Sequence, residues 1–236
     1  MSKTSRLAHS AAQLNDVGAQ AMERHLLLVL CNRLRMLRDF RAHPEINDQQ
    51  IVRPLIISGG ARTGSTKLQK MLVASGDFHW LPCWQGASLS LYTGDRGEDP
   101  APRIREAEEH IRWFNEHAPN AKLIHEFSTF EPEEENLILA LRLFGPYMQA
   151  FVCVPNFIQW YVMQHDLRDD FKFLKQGLQY LQWQFHDGKP RPWVLKNPLY
   201  PGLEPLLAEV FADASFVNTH REPVGMLSSS LLSRPK

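Results

Sequence analysis

The order of apolar and polar positions along the chain predicts alternating strands and helices. Short apolar runs near residues 55, 79, 194 and 217 have the length and flanking residues of buried strands, and apolar positions recur at helical spacing between them. Parallel strands need crossover connections, which helices supply. The pattern therefore predicts an α/β fold, in which a parallel sheet is the middle of three layers and helices cover both faces.

Helical periodicity also indicates where the helices lie. An N-terminal helix is expected from about Ala11 to Phe40, and the stretch from Gly86 to Pro102, with its Gly, Asp, Ser and Pro residues, predicts a loop that lines or covers a site. Further helices are expected near residues 65–74, 101–117, 131–144, 157–163, 169–185 and 203–211. We predict that residues 1–50 form a helical segment packed on a domain of residues 51–236.

Composition and charge narrow the class of protein. With 44% hydrophobic and 22% charged residues the chain can bury a substantial core, and its net charge of zero predicts no partner among nucleic acids. Any anion site must then be local. The three cysteines lack metal-ligand spacing and no signal peptide is visible, so a cytoplasmic protein is expected. The apolar run Leu26–Leu30 is far shorter than the roughly 20 residues of a membrane span; contact of this helix with a membrane is a minor alternative.

The first apolar run stops at a serine and two glycines, and a predicted helix begins a few residues later. Glycines let such a turn take positive φ and let backbone N–H groups approach an anion, and the helix N-terminus adds its positive dipole end. Gly59-x4-Gly64-x-Thr66 has the spacing of an ATP-binding P-loop, but Ser65 stands where that loop needs lysine. The cation of the loop is Arg62. The segment predicts a phosphate site that differs from a kinase or ATPase loop.

A second boundary between a strand and a helix lies near the end of the chain. The strand pattern ends at His220, and Arg221-Glu222-Pro223 opens a helix with proline near its start. Ser229 follows Arg221 by eight residues, about two helical turns. Arginine suits a phosphate because its planar guanidinium donates two charge-assisted hydrogen bonds. We predict a second phosphate contact here.

In this order, the two segments resemble the 5′-phosphosulfate loop and the 3′-phosphate motif of sulfotransferases that use 3′-phosphoadenosine 5′-phosphosulfate (PAPS), of the broad bacterial type. Ala61 stands where that family has proline, and Glu222 where it has aspartate. The resemblance implies a P-loop-like domain that binds PAPS, needs no metal and transfers a sulfuryl group. The donor-binding residues that it implies are Gly60, Ala61, Arg62, Thr63, Gly64, Ser65, Thr66, Arg221 and Ser229.

A third segment, residues 196–200 with the sequence KNPLY, lies at the end of the predicted strand near residue 194. It resembles the family's K-[ST]-P-x-[HY] motif, which places a lysine near the transferred group, although Asn197 replaces the hydroxyl residue. Sites in parallel sheets lie at the carboxyl ends of the strands. The resemblance implies that Lys196 and Arg62 form a charged clamp on the phosphosulfate; a lone lysine at a strand end is more often only solvated.

The acceptor proton needs a base. Relatives of the bacterial type often carry a P-E-E-like motif after the second strand, and residues 132–135 with the sequence PEEE match it. This resemblance implies Glu134 as the base, with Glu133 and Glu131 as close rivals and His125 as a competing candidate. Acids in the first turn of a helix also complement the helix dipole, so a purely structural role is the alternative.

The expected acceptor is a hydroxyl or amine on a small molecule, lipid or glycan. Aromatic residues between positions 84 and 161 suit an apolar or ring-bearing alcohol, and they suit a protein core equally well. The family's domain normally continues well past the 3′-phosphate motif, whereas this chain ends seven residues after Ser229. We therefore expect an incomplete nucleotide site, with uncovered apolar surface open to self-association as a homo-oligomer.

Two other classes of protein fit parts of the pattern. The short C-terminus favours a protein of the same fold that binds the nucleotide or a partner without transferring sulfate. A P-loop kinase of small molecules is less favoured, because Ser65 replaces the lysine of its loop.

Overall fold

The computed structural model describes residues 14–118, 125–143, 154–186 and 191–226. Ser229, the predicted second contact of the 3′-phosphate, lies outside the described residues. The strands are β1 (Leu55–Ser58), β2 (Val194–Asn197) and β3 (Ser215–Asn218). The helices are α1 (Asp16–Ala42), α2 (Ser65–Ala74), α3 (Cys83–Ala87), α4 (Ala101–His117), α5 (Asn136–Leu139), α6 (Pro155–Gln164), α7 (Leu167–Phe185) and α8 (Glu204–Val210), with 3₁₀ turns at Pro44–Ile46 and Ala140–Arg142.

The strands form a parallel sheet in the order β2-β1-β3, which confirms the predicted α/β class. In this register Ile57 of β1 lies beside Lys196 of β2 and Ser58 lies beside Asn218 of β3, so three strands end at one edge of the sheet. The run near residue 79 was predicted as a fourth strand. It makes one parallel bridge, from His79 to Trp193, because the chain then leaves the sheet to pair with another segment.

Helix α7 supplies much of the core. Its buried residues Phe171, Leu174, Leu178 and Leu181 recur at intervals of three or four, the spacing of one helix face. Residues of the sheet and of α1 belong to the same hydrophobic cluster, including Ile56, Leu195, Val29 and Met36. The N-terminus of α1 is capped by the Asn15 side chain, which accepts a hydrogen bond from the N–H of Gly18.

The predicted helix over residues 131–144 is wrong in its first part. Helix α5 begins only at Asn136, and the residues before it run beside the segment 81–83 instead. The N–H of Glu133 donates to the carbonyl of Leu81, and the N–H of Cys83 donates to the carbonyl of Glu131. These hydrogen bonds between two segments of the chain replace the bonds of a helical first turn. The acids at 131–134 therefore precede the first turn of α5 and do not belong to it.

A helix crosses a bilayer only if it is long and predominantly apolar. None of the helices within the described ranges combines the necessary length with sufficient apolar character.

Candidate functional site

The glycine loop connects β1 to α2 and packs against the end of β3. Gly64 has a φ of 93°, which favours glycine, and Arg62 takes the same left-handed region with a φ of 69°. A Cβ atom on Gly59 would lie 2.0 Å from Thr219 Oγ1, so no larger residue fits there without movement. The Thr63 hydroxyl completes the turn, 2.7 Å from the Gly60 carbonyl and 2.7 Å from Thr219 Oγ1.

The loop delivers the start of α2 to the carboxyl edge of the sheet. The N–H of Leu68 makes the first helical bond, to the carbonyl of Gly64, so the N–H groups of the residues between them have no partner within the helix. Ser65 is buried and Thr66 is exposed. A helix N-terminus of this kind attracts anions through its N–H groups and its dipole.

The second predicted phosphate motif lies against the first. Arg221 Nη1 donates to the backbone carbonyl of Arg62 at 3.2 Å, which joins segments that are far apart in the sequence. The Glu222 carboxylate accepts the N–H groups of Val224 and Gly225, and these hydrogen bonds lower the pKa of Glu222. Glutamate thus caps the helical turn at 223–226 in the position where aspartate was expected.

Lys196 at the end of β2 contacts the predicted base. Its ammonium lies 2.6 Å from Glu134 Oε1, and the lysine side chain is only 2% exposed while that of Glu134 is 16% exposed. The other oxygen of Glu134 accepts a hydrogen bond of 2.9 Å from the Asn136 amide. The structure therefore brings together a buried cation and a partly accessible carboxylate that the sequence separates by 62 residues.

Glu135 and Asn136 attach the acidic segment, defined as residues 131–135, to β2. Glu135 accepts the backbone N–H of Lys196 at 2.9 Å and the Tyr200 hydroxyl at 3.0 Å, and Asn136 accepts a bond of 2.7 Å from the Asn197 amide. Burial raises the pKa of Glu135 to about 8, although these donors and the charge of Lys196 oppose the shift. Burial, with the nearby carboxylate of Glu135, also raises the pKa of Tyr200 well above its usual value. The amide side chain of Asn197 thus has a structural role at the position of the expected hydroxyl.

His125 pairs with Glu133 next to Glu134. Its Nε2 atom lies 2.9 Å from both oxygens of Glu133. Burial lowers the pKa of His125, but the hydrogen bond with Glu133 and the charges of Glu133 and Glu134 outweigh it, so the net pKa is raised. One ligand-type atom from each of the three side chains falls within 4.8 Å of the others, a set that could ligate a metal. The Lys196 ammonium already contacts Glu134, however, so a metal ion would face a fixed positive charge.

Four of the predicted site residues meet in two contacting pairs, Arg62 with Arg221 and Lys196 with Glu134. His125 and Glu133 form a third pair, which adjoins Glu134. Glu131 does not belong to this group, because it forms an ion pair of 2.8 Å with Lys70 in which both side chains are about half exposed. Sequence reasoning missed the roles of Glu135 and Thr219. Both lie within segments that were singled out, but only their contacts across the fold reveal what they do.

A glycine loop between a parallel strand and a helix, at the carboxyl edge of the sheet, is the arrangement in which α/β proteins commonly bind anions. Residues 54–234 match the sulfotransferase family, and the chain belongs to that family. A comparison with curated protein sequences gave no significant match.

Solved structures agree on the fold. Sulfotransferase STF9 from Mycobacterium avium superimposes with a TM-score of 0.73 at 24% identity, over 93% of this chain and 56% of that protein. Sulfotransferase STF1 from Mycobacterium tuberculosis H37Rv superimposes with a TM-score of 0.72 at 24% identity, over 96% of this chain and 61% of that protein. The chain thus spans 56–61% of the length of these two proteins.

Proposed function

We propose that this chain binds PAPS and transfers its sulfuryl group to a hydroxyl group of an acceptor. The observation that carries the proposal is the 2.6 Å ion pair between Lys196 and Glu134 at the carboxyl edge of the sheet, where the glycine loop begins. A cation for the departing oxygen and a base for the acceptor proton are the two groups that the reaction needs. Membership of the sulfotransferase family supplies the class of reaction.

The two ends of the donor would be held by different loops. The N–H groups at the start of α2, with the hydroxyls of Ser65 and Thr66, suit the 5′-phosphate. Arg221 would hold the 3′-phosphate together with Ser229. Because Arg221 donates to the carbonyl of Arg62, binding at one loop would help to order the other.

In the transfer step, the acceptor oxygen forms a bond to sulfur while the bond from sulfur to the bridging phosphate oxygen breaks. Glu134 takes the acceptor proton, and adenosine 3′,5′-bisphosphate leaves with the electron pair of the broken bond. Arg62 and Lys196 stabilise the charge that develops on the bridging oxygen. As in phosphoryl transfer, catalysis then depends mainly on positioning and electrostatics.

Lys196 connects donor binding to the base. Its ammonium contacts Glu134. A bound phosphosulfate would offer Lys196 a second anion, and a shift towards it would release one carboxylate oxygen for the acceptor proton. Asn136 would keep Glu134 oriented through the other oxygen. His125, held by Glu133, is the second candidate for the base.

Isothermal titration with adenosine 3′,5′-bisphosphate, beside ATP, tests the donor site. We expect the bisphosphate to bind and ATP not to bind. Arg221→Ala should weaken bisphosphate binding about 10- to 100-fold, because a hydrogen bond to a charged group contributes roughly 1.5–3 kcal/mol. Arg41→Ala, at an exposed arginine in the last turn of α1, is the control and should bind like the wild type. Failure of the wild type to bind, or equal binding of ATP, would refute the donor site.

A further inference from the structure

A pocket lies between α1, α3, α4 and residues of the stretch 127–141. Its volume is about 60 Å³, and most of its wall is apolar, with Leu28 from α1, Ile111 and Phe114 from α4, Leu137 from α5 and Phe127 from the loop before α5. This volume exceeds what a single water needs and is far below the roughly 300–1,000 Å³ of pockets that enclose a whole drug-sized ligand. The space therefore suits one narrow group, such as an alkyl chain, and is too small to enclose an aromatic ring.

No described residue that lines this pocket is charged at neutral pH. Burial, with the neighbouring His110, lowers the pKa of His25 to about 4, and burial also lowers the pKa of His110. Burial and the charge of Glu133 raise the pKa of Cys83 to about 12, so its thiol stays protonated. An ionised group would lose its hydration in this pocket without gaining a counter-charge.

The wall of the pocket adjoins the proposed catalytic groups. The ring of Phe127, which lines the pocket, meets the ring of His125 edge-on with centroids 4.7 Å apart. Leu137 also lines the pocket and follows Asn136, whose amide holds Glu134. A group in the pocket would thus lie next to the side chains that we propose handle the acceptor proton.

We propose that this pocket binds the apolar part of the acceptor, and that the acceptor is a slender, uncharged, lipid-like alcohol. The inference rests on the proposed sulfuryl transfer and specifies its acceptor. With the apolar part beside Phe127, the hydroxyl group projects towards His125 and Glu134. A glycan lacks the apolar group that the pocket selects, and a fatty acid places a carboxylate where the pocket offers no positive charge.

Binding of straight-chain alcohols to the full chain, without any sulfuryl donor, tests the pocket. In protein-observed NMR titrations we expect affinity to rise about fourfold per CH₂ from 1-butanol to 1-hexanol, the transfer free energy of one buried CH₂ expressed as a ratio. Hexanoate, which has the same length and a negative charge, should not bind. Ala87→Leu fills the pocket and should weaken 1-hexanol binding at least tenfold, whereas Ala42→Leu, the same change at an exposed position, should not.

Ala140→Val narrows the pocket by less and replaces Ala87→Leu if that variant fails to fold. Equal binding of 1-hexanol and hexanoate, no dependence on chain length, or equal effects of the two leucine variants would overturn the pocket assignment. Because this measurement needs no donor, its result is independent of the bisphosphate titration. Alcohol binding without sulfuryl transfer would count against the proposed function, and bisphosphate binding without alcohol binding would count against the pocket alone.

Discussion

At the site, Glu134 has two differently engaged oxygens. Oε1 accepts from the ammonium of Lys196 at 2.6 Å, and Oε2 accepts from the amide of Asn136 at 2.9 Å. The amide contact can persist while the lysine moves, so the carboxylate can stay aligned during the reaction. Glu133, by contrast, is buried and bonded to His125, and its side chain is 6% exposed.

We predict that Glu134→Gln lowers kcat about 10²- to 10⁴-fold, the usual contribution of a positioned base, while the KM for PAPS changes little. Glutamine keeps the shape and can still accept from Lys196, but it cannot take the acceptor proton. Steady-state assays of sulfuryl transfer from labelled PAPS, with a series of alcohols, measure both constants.

Glu131→Gln is the matched control, because Glu131 carries the same group on the surface in an ion pair with Lys70. It should leave both constants unchanged. If Glu134→Gln kept wild-type kcat and His125→Asn lost it, the base would be His125 instead.

At the scale of elements, the glycine loop depends on a close approach to the end of β3. Besides the Thr219 hydroxyl, the backbone carbonyl of Thr219 would lie 3.0 Å from a Cβ on Gly59. The N–H of Thr219 donates to the carbonyl of Ser58 at 3.0 Å, which holds the two backbones together at this point. A side chain at position 59 must therefore separate β1 from β3 or displace Thr219.

We predict that Gly59→Ala lowers the free energy of unfolding by about 1–3 kcal/mol, the usual cost of overpacking. The double variant Gly59→Ala, Thr219→Ala should recover part of this loss, because the hydroxyl that lies 2.0 Å from the added carbon is removed. Urea unfolding of the wild type, both single variants and the double variant measures the coupling. Additive effects of the two changes would show that this contact does not require glycine.

For the whole molecule, two buried groups give stability opposite dependences on pH. Burial raises the pKa of Glu135 from 4.5 to about 8, so between these values the native state holds a proton that the unfolded state has lost, and stability falls as pH rises. Burial lowers the pKa of His25 from 6.5 to about 4, so in that window the unfolded state holds the extra proton and stability rises with pH. The two effects oppose each other below pH 6.5, and Glu135 acts without that opposition above it.

We predict that the free energy of unfolding falls by on the order of 2 kcal/mol from pH 6 to pH 9, and that Glu135→Gln removes this decline. Glutamine has the same shape and does not ionise. Urea unfolding at both pH values measures the change. A wild type with equal stability at pH 6 and pH 9, or a Gln variant with an undiminished decline, would contradict the role of Glu135.

Much of the fold followed from local patterns. Helices α2 and α4 were predicted with their observed bounds, and the three strands of the sheet were placed correctly, because periodicity and turn residues act over a few neighbours. The prediction failed at residues 131–135, where a local signal for a helix start was overridden by hydrogen bonds to residues 81–83. Such bonds depend on a partner about 50 residues away, which no local pattern contains.

The sequence by itself determined the glycine loop, the arginine that follows β3 and the lysine at the end of β2, because each is a strand end with a recognisable turn or cation. Only the tertiary structure decided how they meet: Arg221 on the carbonyl of Arg62, Lys196 on Glu134, and a buried Glu135 that holds the acidic segment to β2. The same packing left an uncharged pocket lined by Phe127, whose ring contacts His125. The physical reason is the distance along the chain over which each property is determined. A residue's chemistry and its local backbone preference depend on the residue and its near neighbours in the sequence. Burial, ion pairing and cavity shape depend on segments that are distant in the sequence and meet only on folding.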